Sequence, residues 1–131
     1  MKLLLDTHAL IWAAADPQRL PPFVRAALVD RNNLVAVSAA SAWEIAIKRS
    51  TGRLRFPKVD KDLLARGGFR ALPIEIHHAA AVESLPQHHS DPFDRMLLAQ
   101  AQTDDYLLVT HDPAMHRYGI AWVWDGITDT R

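Results

Sequence analysis

Acidic side chains carry the chemistry this sequence can be read for, and the one in the least ordinary place is Asp94. It stands in the run His-Ser-Asp-Pro-Phe-Asp-Arg from His89 to Arg95. Asp91 followed by Pro92 reads as a helix start, because an Asp N-cap accepts a hydrogen bond from an orphan amide and Pro suits the first helical position. A helix continuing to about Thr103 puts Leu97, Leu98 and Ala101 on the same face as Asp94. That face is apolar. A carboxylate along a buried stripe is costly unless something positive meets it. The alternative is a capping box, with the Asp94 oxygens turned back onto the helix amides.

Three more acids stand in comparable places. Asp6 follows the apolar run Lys2 to Leu5, Glu44 lies on the helix expected after Leu34 to Val37, and Asp112 comes just past Tyr106 to Val109. Short apolar runs without a period are what strands buried on both faces of a parallel sheet look like. Ligands of such sheets sit outside the carboxyl ends of the strands, and all four acids fall on that edge. Convergent carboxylates repel, so the cluster calls for a cation, and an all-oxygen site suits Mg²⁺ or Mn²⁺. Each acid also has an ordinary explanation. Asp6, Asp91 and Asp112 are potential N-caps, and Glu44 is a potential partner of Ser41 or Lys48. Caps alone would be scattered over both edges of the sheet, and capping gives Asp94 no reason to share a face with Leu97, Leu98 and Ala101. The layout favours a metal site.

The elements that must position these acids alternate between strand and helix. After Lys2 to Leu5 comes a helix over Thr7 to Ala15, stopped by Asp16-Pro17, and a second one opened by Leu20-Pro21-Pro22 and fading at Arg31-Asn32-Asn33. Leu34 to Val37 is a strand with Ser38 at its end; Ala39 to Lys48 and Asp60 to Arg66 are helices, the latter closed by Gly67-Gly68. Phe69 to Ile74 reads as a third strand weakened by Pro73, and a helix from about Ala79 to Leu85 precedes the His88-His89 loop. Tyr106 to Val109 and Ile120 to Trp124 are the fourth and fifth strands. The fold class is therefore α/β, with a mostly parallel central sheet of five strands and helices on its faces. Residues 126–131 read as a loose polar tail.

Composition bounds what the chain can be. Its 131 residues make one domain, spanning 1–131. Fifteen basic residues balance 15 acidic ones, so attraction to nucleic acid must come from local clustering. The absence of Cys excludes disulfides and thiolate metal sites. The longest apolar run, Ala9 to Ala15, falls far below the ~20 residues of a membrane helix, and Asp6 interrupts the N-terminus too early for a signal peptide. The expected location is cytoplasmic. Seven His residues raise zinc, but His77-His78 and His88-His89 are adjacent pairs expected to point apart, and no helical His pair flanks a Glu. Phosphatases with a second Asp two residues after the first are a poor fit because position 8 is His. Response-regulator receivers need a late Lys, and none follows Lys61.

Four stretches then carry a specific resemblance. Leu3-Leu4-Leu5-Asp6-Thr7-His8, Val37-Ser38 through Ala42-Trp43-Glu44-Ile45, His89 to Ala101 with Asp-Pro-Phe-Asp-Arg at its head, and Leu108-Val109-Thr110-His111-Asp112 follow one another in the order of the PIN-domain family. Within that family the chain resembles the VapC toxins of bacterial toxin-antitoxin pairs. The resemblance implies a three-layer α/β/α fold and Mg²⁺- or Mn²⁺-dependent cleavage of RNA leaving a 5′-phosphate and a 3′-hydroxyl. Asp6, Glu44, Asp94 and Asp112 take the catalytic and metal-binding places, with Thr110 and Ser38 as supports and Asp91 as cap first and ligand second. His89 and Arg95 match the motif too. It also implies a VapB-like antitoxin lying in an apolar groove, for which Trp12, Phe23, Trp43 and Leu64 are candidates, and a homodimer. For RNA itself, Lys48, Arg49, Arg53, Arg55 and Lys58 cluster after the Glu44 helix, with Arg95 nearer the acids. The competing reading is a PIN fold kept only to bind RNA or protein; loss of an acid would be its mark, and all four are present.

Overall fold

The computed structural model of the chain describes residues 1–128, the last two of these by their backbone alone. The chain runs β1 (Lys2–Leu5), α1 (Thr7–Ala15), α2 (Pro22–Val29), β2 (Leu34–Ser38), α3 (Ala39–Ser50) and α4 (Lys61–Arg66). It continues with β3 (Arg70–Leu72), α5 (Ile76–Ala81), α6 (Pro92–Asp104), β4 (Leu107–Val109), α7 (Pro113–His116), β5 (Trp122–Val123) and β6 (Ile127–Thr128). Short 3-10 turns at Pro17–Arg19 and Val82–Ser84 complete it. The sheet order is β3-β2-β1-β4-β5-β6, parallel throughout except for β6. The expected five parallel strands are present, and the sixth is an addition. Within the expected tail, Ile127–Thr128 pairs antiparallel with β5, while residues 129–131 lie outside the described residues.

The strands are buried on both faces, as their unbroken apolar runs require. Leu3, Leu4 and Leu5 have no exposed surface at all. Side-chain alternation splits them between two cores. Leu3, Leu5, Val35 and Val37 pack with Leu10, Val24 and Leu64 from α1, α2 and α4; Leu4, Ala36 and Leu108 pack with Leu97, Leu98 and Ala101 from α6. This is the three-layer arrangement. α3 bridges the layers, packing against both α1 and α6.

Sequence order turns one way from β1 through β2 to β3 and the other way from β4 to β5. The two directions diverge between β1 and β4, joined in register Leu3↔Leu107 to Leu5↔Val109. At that switch point the adjacent chains splay apart beyond the carboxyl ends, and a crevice is left. Asp6 and Asp112 stand on either side of it.

Element boundaries differ from expectation where local chemistry intervenes. β3 covers only Arg70–Leu72, because Pro73 has no amide to continue the ladder. α5 begins at Ile76, earlier than expected, because the His78 ring accepts the Glu75 amide and starts the helix there. Gly68, at φ +76°, supplies the left-handed stop after α4. Among the described residues no helix is long and apolar enough to cross a membrane.

Candidate active site

Asp6 is the residue that ends β1 and caps α1. Its Oδ1 accepts the Ala9 amide at 2.7 Å, and only 5% of the residue is exposed. Burial raises its pKa above the usual carboxylate range; bonds from the Thr110 hydroxyl and the Ala9 amide oppose this, and the charge of Asp112 reinforces it. The Thr110 oxygen also lies 3.5 Å from Met115 Sδ, but a carboxylate is the stronger acceptor for its single proton. Across the crevice Asp112 caps α7 through Oδ1, which accepts the Ala114 amide at 2.9 Å. Thr110 braces this turn as well, its hydroxyl accepting the Asp112 amide at 3.1 Å.

At the head of α6 the capping role falls to Asp91, whose Oδ1 accepts the amides of Phe93 at 2.8 Å and Asp94 at 3.1 Å. Asp94 is thereby free of capping. Its Oδ2 instead meets His89 Nε2 at 2.8 Å, and the same nitrogen lies 3.8 Å from Asp112 Oδ2. Burial pushes the Asp94 carboxyl up to about 6. The His89 bond opposes that shift, while the charges of Asp91, Asp6 and Glu44 add to it. Ligand atoms of His89, Asp94 and Asp112 lie within 4.8 Å of one another.

Glu44 reaches the same place from α3. Thr7 donates to Oε1 at 2.6 Å and Lys48 pairs with Oε2 at 3.1 Å. Both carboxylate oxygens are thus held. Asp6 and Asp112 each cap through Oδ1 alone, whereas Glu44 is engaged at both oxygens.

A model of the PIN domain matches residues 3–121. The chain belongs to the PIN-domain family. It is 31% identical to ribonuclease VapC22 of Mycobacterium tuberculosis over 121 residues, 88% of this chain and 92% of that protein. Two solved structures share the PIN fold. One is VapBC2 from Rickettsia felis bound to a DNA fragment from their promoter, with TM-score 0.62, 15% identity, and coverage of 90% of this chain and 93% of that chain. The other is VapBC-1 from nontypeable Haemophilus influenzae, with TM-score 0.61, 16% identity and coverage of 90% and 92%.

In this PIN domain Asp6, Glu44, Asp94 and Asp112 share one carboxyl edge, but several other residues sit elsewhere than expected. Arg95, expected toward RNA, is buried at 8% exposure and donates to the carbonyls of Pro86 at 2.8 Å, Val82 at 3.1 Å and Leu85 at 3.4 Å, and to the Tyr118 hydroxyl at 3.2 Å. Its five fixed donors hold the loop that carries His89. Ser38, expected as a site support, caps α3 and donates to Gln100 Oε1 at 2.6 Å in the core. Lys48 is spent on Glu44 and Arg49 donates to the Phe56 carbonyl at 2.7 Å, while Arg53 and Arg55 are exposed. The four groove candidates do not share one groove. Trp12, Leu64 and Trp43 line three separate cavities.

Thr7 and His89 are the polar contacts that sequence reasoning left without a role. Thr7 directly follows Asp6, and its position at the head of α1 was the available signal. His77 and His78, expected to diverge, converge on Asp104 at 3.2 and 2.7 Å. His78 is fully buried with Nδ1 accepting the Glu75 amide, so Nε2 carries the proton to Asp104. Burial pushes the Asp104 carboxyl up, but the two His bonds outweigh it and hold its pKa below normal. This cluster clamps α5 to α6.

Proposed function

We propose that the chain is an Mg²⁺- or Mn²⁺-dependent endoribonuclease, the toxin of a toxin-antitoxin pair restrained by a VapB-like antitoxin. The observation that carries the reading is the cluster of acids beyond the sheet's switch point: Asp94 and Asp112 lie around His89, and the carboxyls of Asp6 and Asp94 have pKa values raised by burial and by neighbouring acids. Such a cluster is unfavourable until a cation joins it, and its oxygen donors with a neighbouring imidazole fit a hard or borderline divalent ion. Asp6, Asp94, Glu44 and Asp112 would hold the metal. When bound, the metal neutralises charge developing on the phosphate and lowers the pKa of the attacking water.

The chain's own residues account for the remaining work. Thr7 and Lys48 fix the Glu44 carboxylate, to which this reading gives the proton of the attacking water. Thr110 and the Ala9 amide fix Asp6. Water attacks phosphorus in line, the bond to the 3′-oxygen breaks and that oxygen takes up a proton from solvent, and the products carry a 5′-phosphate and a 3′-hydroxyl. Arg53 and Arg55, exposed beyond α3, attract the phosphates of the strand.

The antitoxin segment is assigned to the apolar groove formed where α1, α2 and α4 meet. Two adjoining cavities of about 520 and 360 Å³ share Ala13, Gly67 and Phe69 there. Gly67 keeps the groove in shape, since a Cβ at that position would stand 2.8 Å from the Phe69 ring. A homodimer is assigned to a different face, where Trp43 is 60% exposed and meets Phe93 edge-on at 5.0 Å.

Incubation with structured RNAs and millimolar Mg²⁺ or Mn²⁺, with cut ends mapped, tests the reading. Wild type is expected to cleave, chelation to stop it, and Asp6→Asn and Asp94→Asn to lose activity by at least about 100-fold while folding normally. RNA bound but never cut would make the chain a binding module.

A further inference from the structure

The acidic site opens on one side into a cavity of about 300 Å³ lined by Asp6, His8, Trp12, His111, Asp112 and Trp124. One wall is thus carboxylate and the others are rings. His8 and Trp12, on the same face of α1, have ring centroids 5.8 Å apart, and Trp12 meets Trp124 at 6.0 Å. His111 lies nearly parallel to Trp124, at 5.1 Å and 12°. The Arg19 guanidinium stands over the Trp12 ring at 4.6 Å. Core packing accounts for Trp124, which is buried, and for the inner part of Trp12. It does not account for His8 and His111, which are exposed and extend the ring cluster toward the acids.

We infer that this cavity is a nucleobase subsite: an unpaired base next to the scissile phosphate stacks among His8, Trp12 and His111 while its phosphate lies at the acids. The inference rests on the nuclease reading and adds to it the residues that hold the base beside the scissile phosphate. Aromatic, imidazole and guanidinium planes are the surfaces on which proteins hold unpaired bases. A nucleotide carries its phosphate and its base a short covalent distance apart, as a cavity that shares Asp6 and Asp112 with the acidic site demands. The volume is at the low end for small-molecule pockets, room for one nucleoside and not for a duplex or a helix.

Once the cut has been mapped, a short single-stranded RNA spanning it is made with each flanking nucleotide replaced in turn by an abasic residue. Binding is measured by fluorescence anisotropy in Ca²⁺, which takes the same oxygen donors, for wild type, His111→Ala and His111→Phe. One flanking abasic position is expected to weaken wild-type binding by about 5- to 100-fold. His111→Ala is expected to weaken the intact RNA and to make that abasic substitution nearly silent, and the Phe ring is expected to restore both. The thermal midpoint of His111→Ala, an exposed position, should match wild type. If no abasic position matters, or if it matters equally in His111→Ala, the subsite is overturned while cleavage stands. If His111→Ala weakens antitoxin binding and leaves RNA untouched, the occupant is a peptide and the inference fails. Absence of any cleavage removes the nuclease reading and the subsite with it.

Discussion

At the scale of single residues, Asp94 states its environment through its proton. Burial holds the folded carboxyl at about 6, above its ordinary 3.8. A raised acid favours the folded state while protonated, and that advantage is lost as pH rises from about 4 through about 6. The metal-free protein should therefore lose stability across this range, by up to about 3 kcal/mol from Asp94. Asp94→Asn should flatten that part of the curve and melt higher than wild type above pH 6. Thermal unfolding from pH 4 to 8 checks this, and repeating it with millimolar Mn²⁺ should raise the wild-type midpoint and leave the variant unmoved. Lower pH should shrink the metal effect, because protons compete for the same oxygens. Arg95 makes the opposite case, a charge held by carbonyls and not by a ligand. Arg95→Met should cost about 3 kcal/mol in denaturant unfolding, since several buried carbonyls lose their donor. A cost below about 1 kcal/mol would mean that water replaces the guanidinium without penalty.

At the scale of elements, the site depends on where helices start. Asp6, Asp91 and Asp112 each begin a helix, and the amide each captures fixes where its side chain stands. Ser38 does the same for α3 and ties it through Gln100 to the Pro73 carbonyl. Ser38→Ala should cost about 1–2 kcal/mol, measured by chemical denaturation, through the lost cap and the unpaired Gln100 oxygen. Such starts are local, which is why Asp-Pro at Asp91 and Asp112 could be read from sequence alone. The strands were legible too, as apolar runs with no period. What escaped the sequence were long-range partners. Nothing near Arg95 announces that Tyr118 and the carbonyls of Val82 to Pro86 will surround it, and nothing near His77 points to Asp104. Likewise, the Glu75 and His78 pair that starts α5 early involves a His acting as acceptor, which residue type does not reveal.

At the scale of the whole molecule, faces with different character point in different directions. The exposed Trp43 face should set the oligomeric state, so Trp43→Glu should convert a dimer to a monomer in sedimentation velocity while leaving the thermal midpoint nearly unchanged. A wild type that sediments as a monomer at micromolar concentration would remove that assignment. The acidic site belongs to no single element. It exists because β4 docks against β1, with the Asp6 amide bonded to the Val109 carbonyl at 3.1 Å. Asp6 is made long before Asp112, so a nascent chain carries one side of the acidic site well before the other. At about 5–20 residues per second, several seconds pass before the second half leaves the ribosome. Under the proposed function, the site stays incomplete over that interval, and an antitoxin already present has time to reach the groove between α1, α2 and α4 before the site closes.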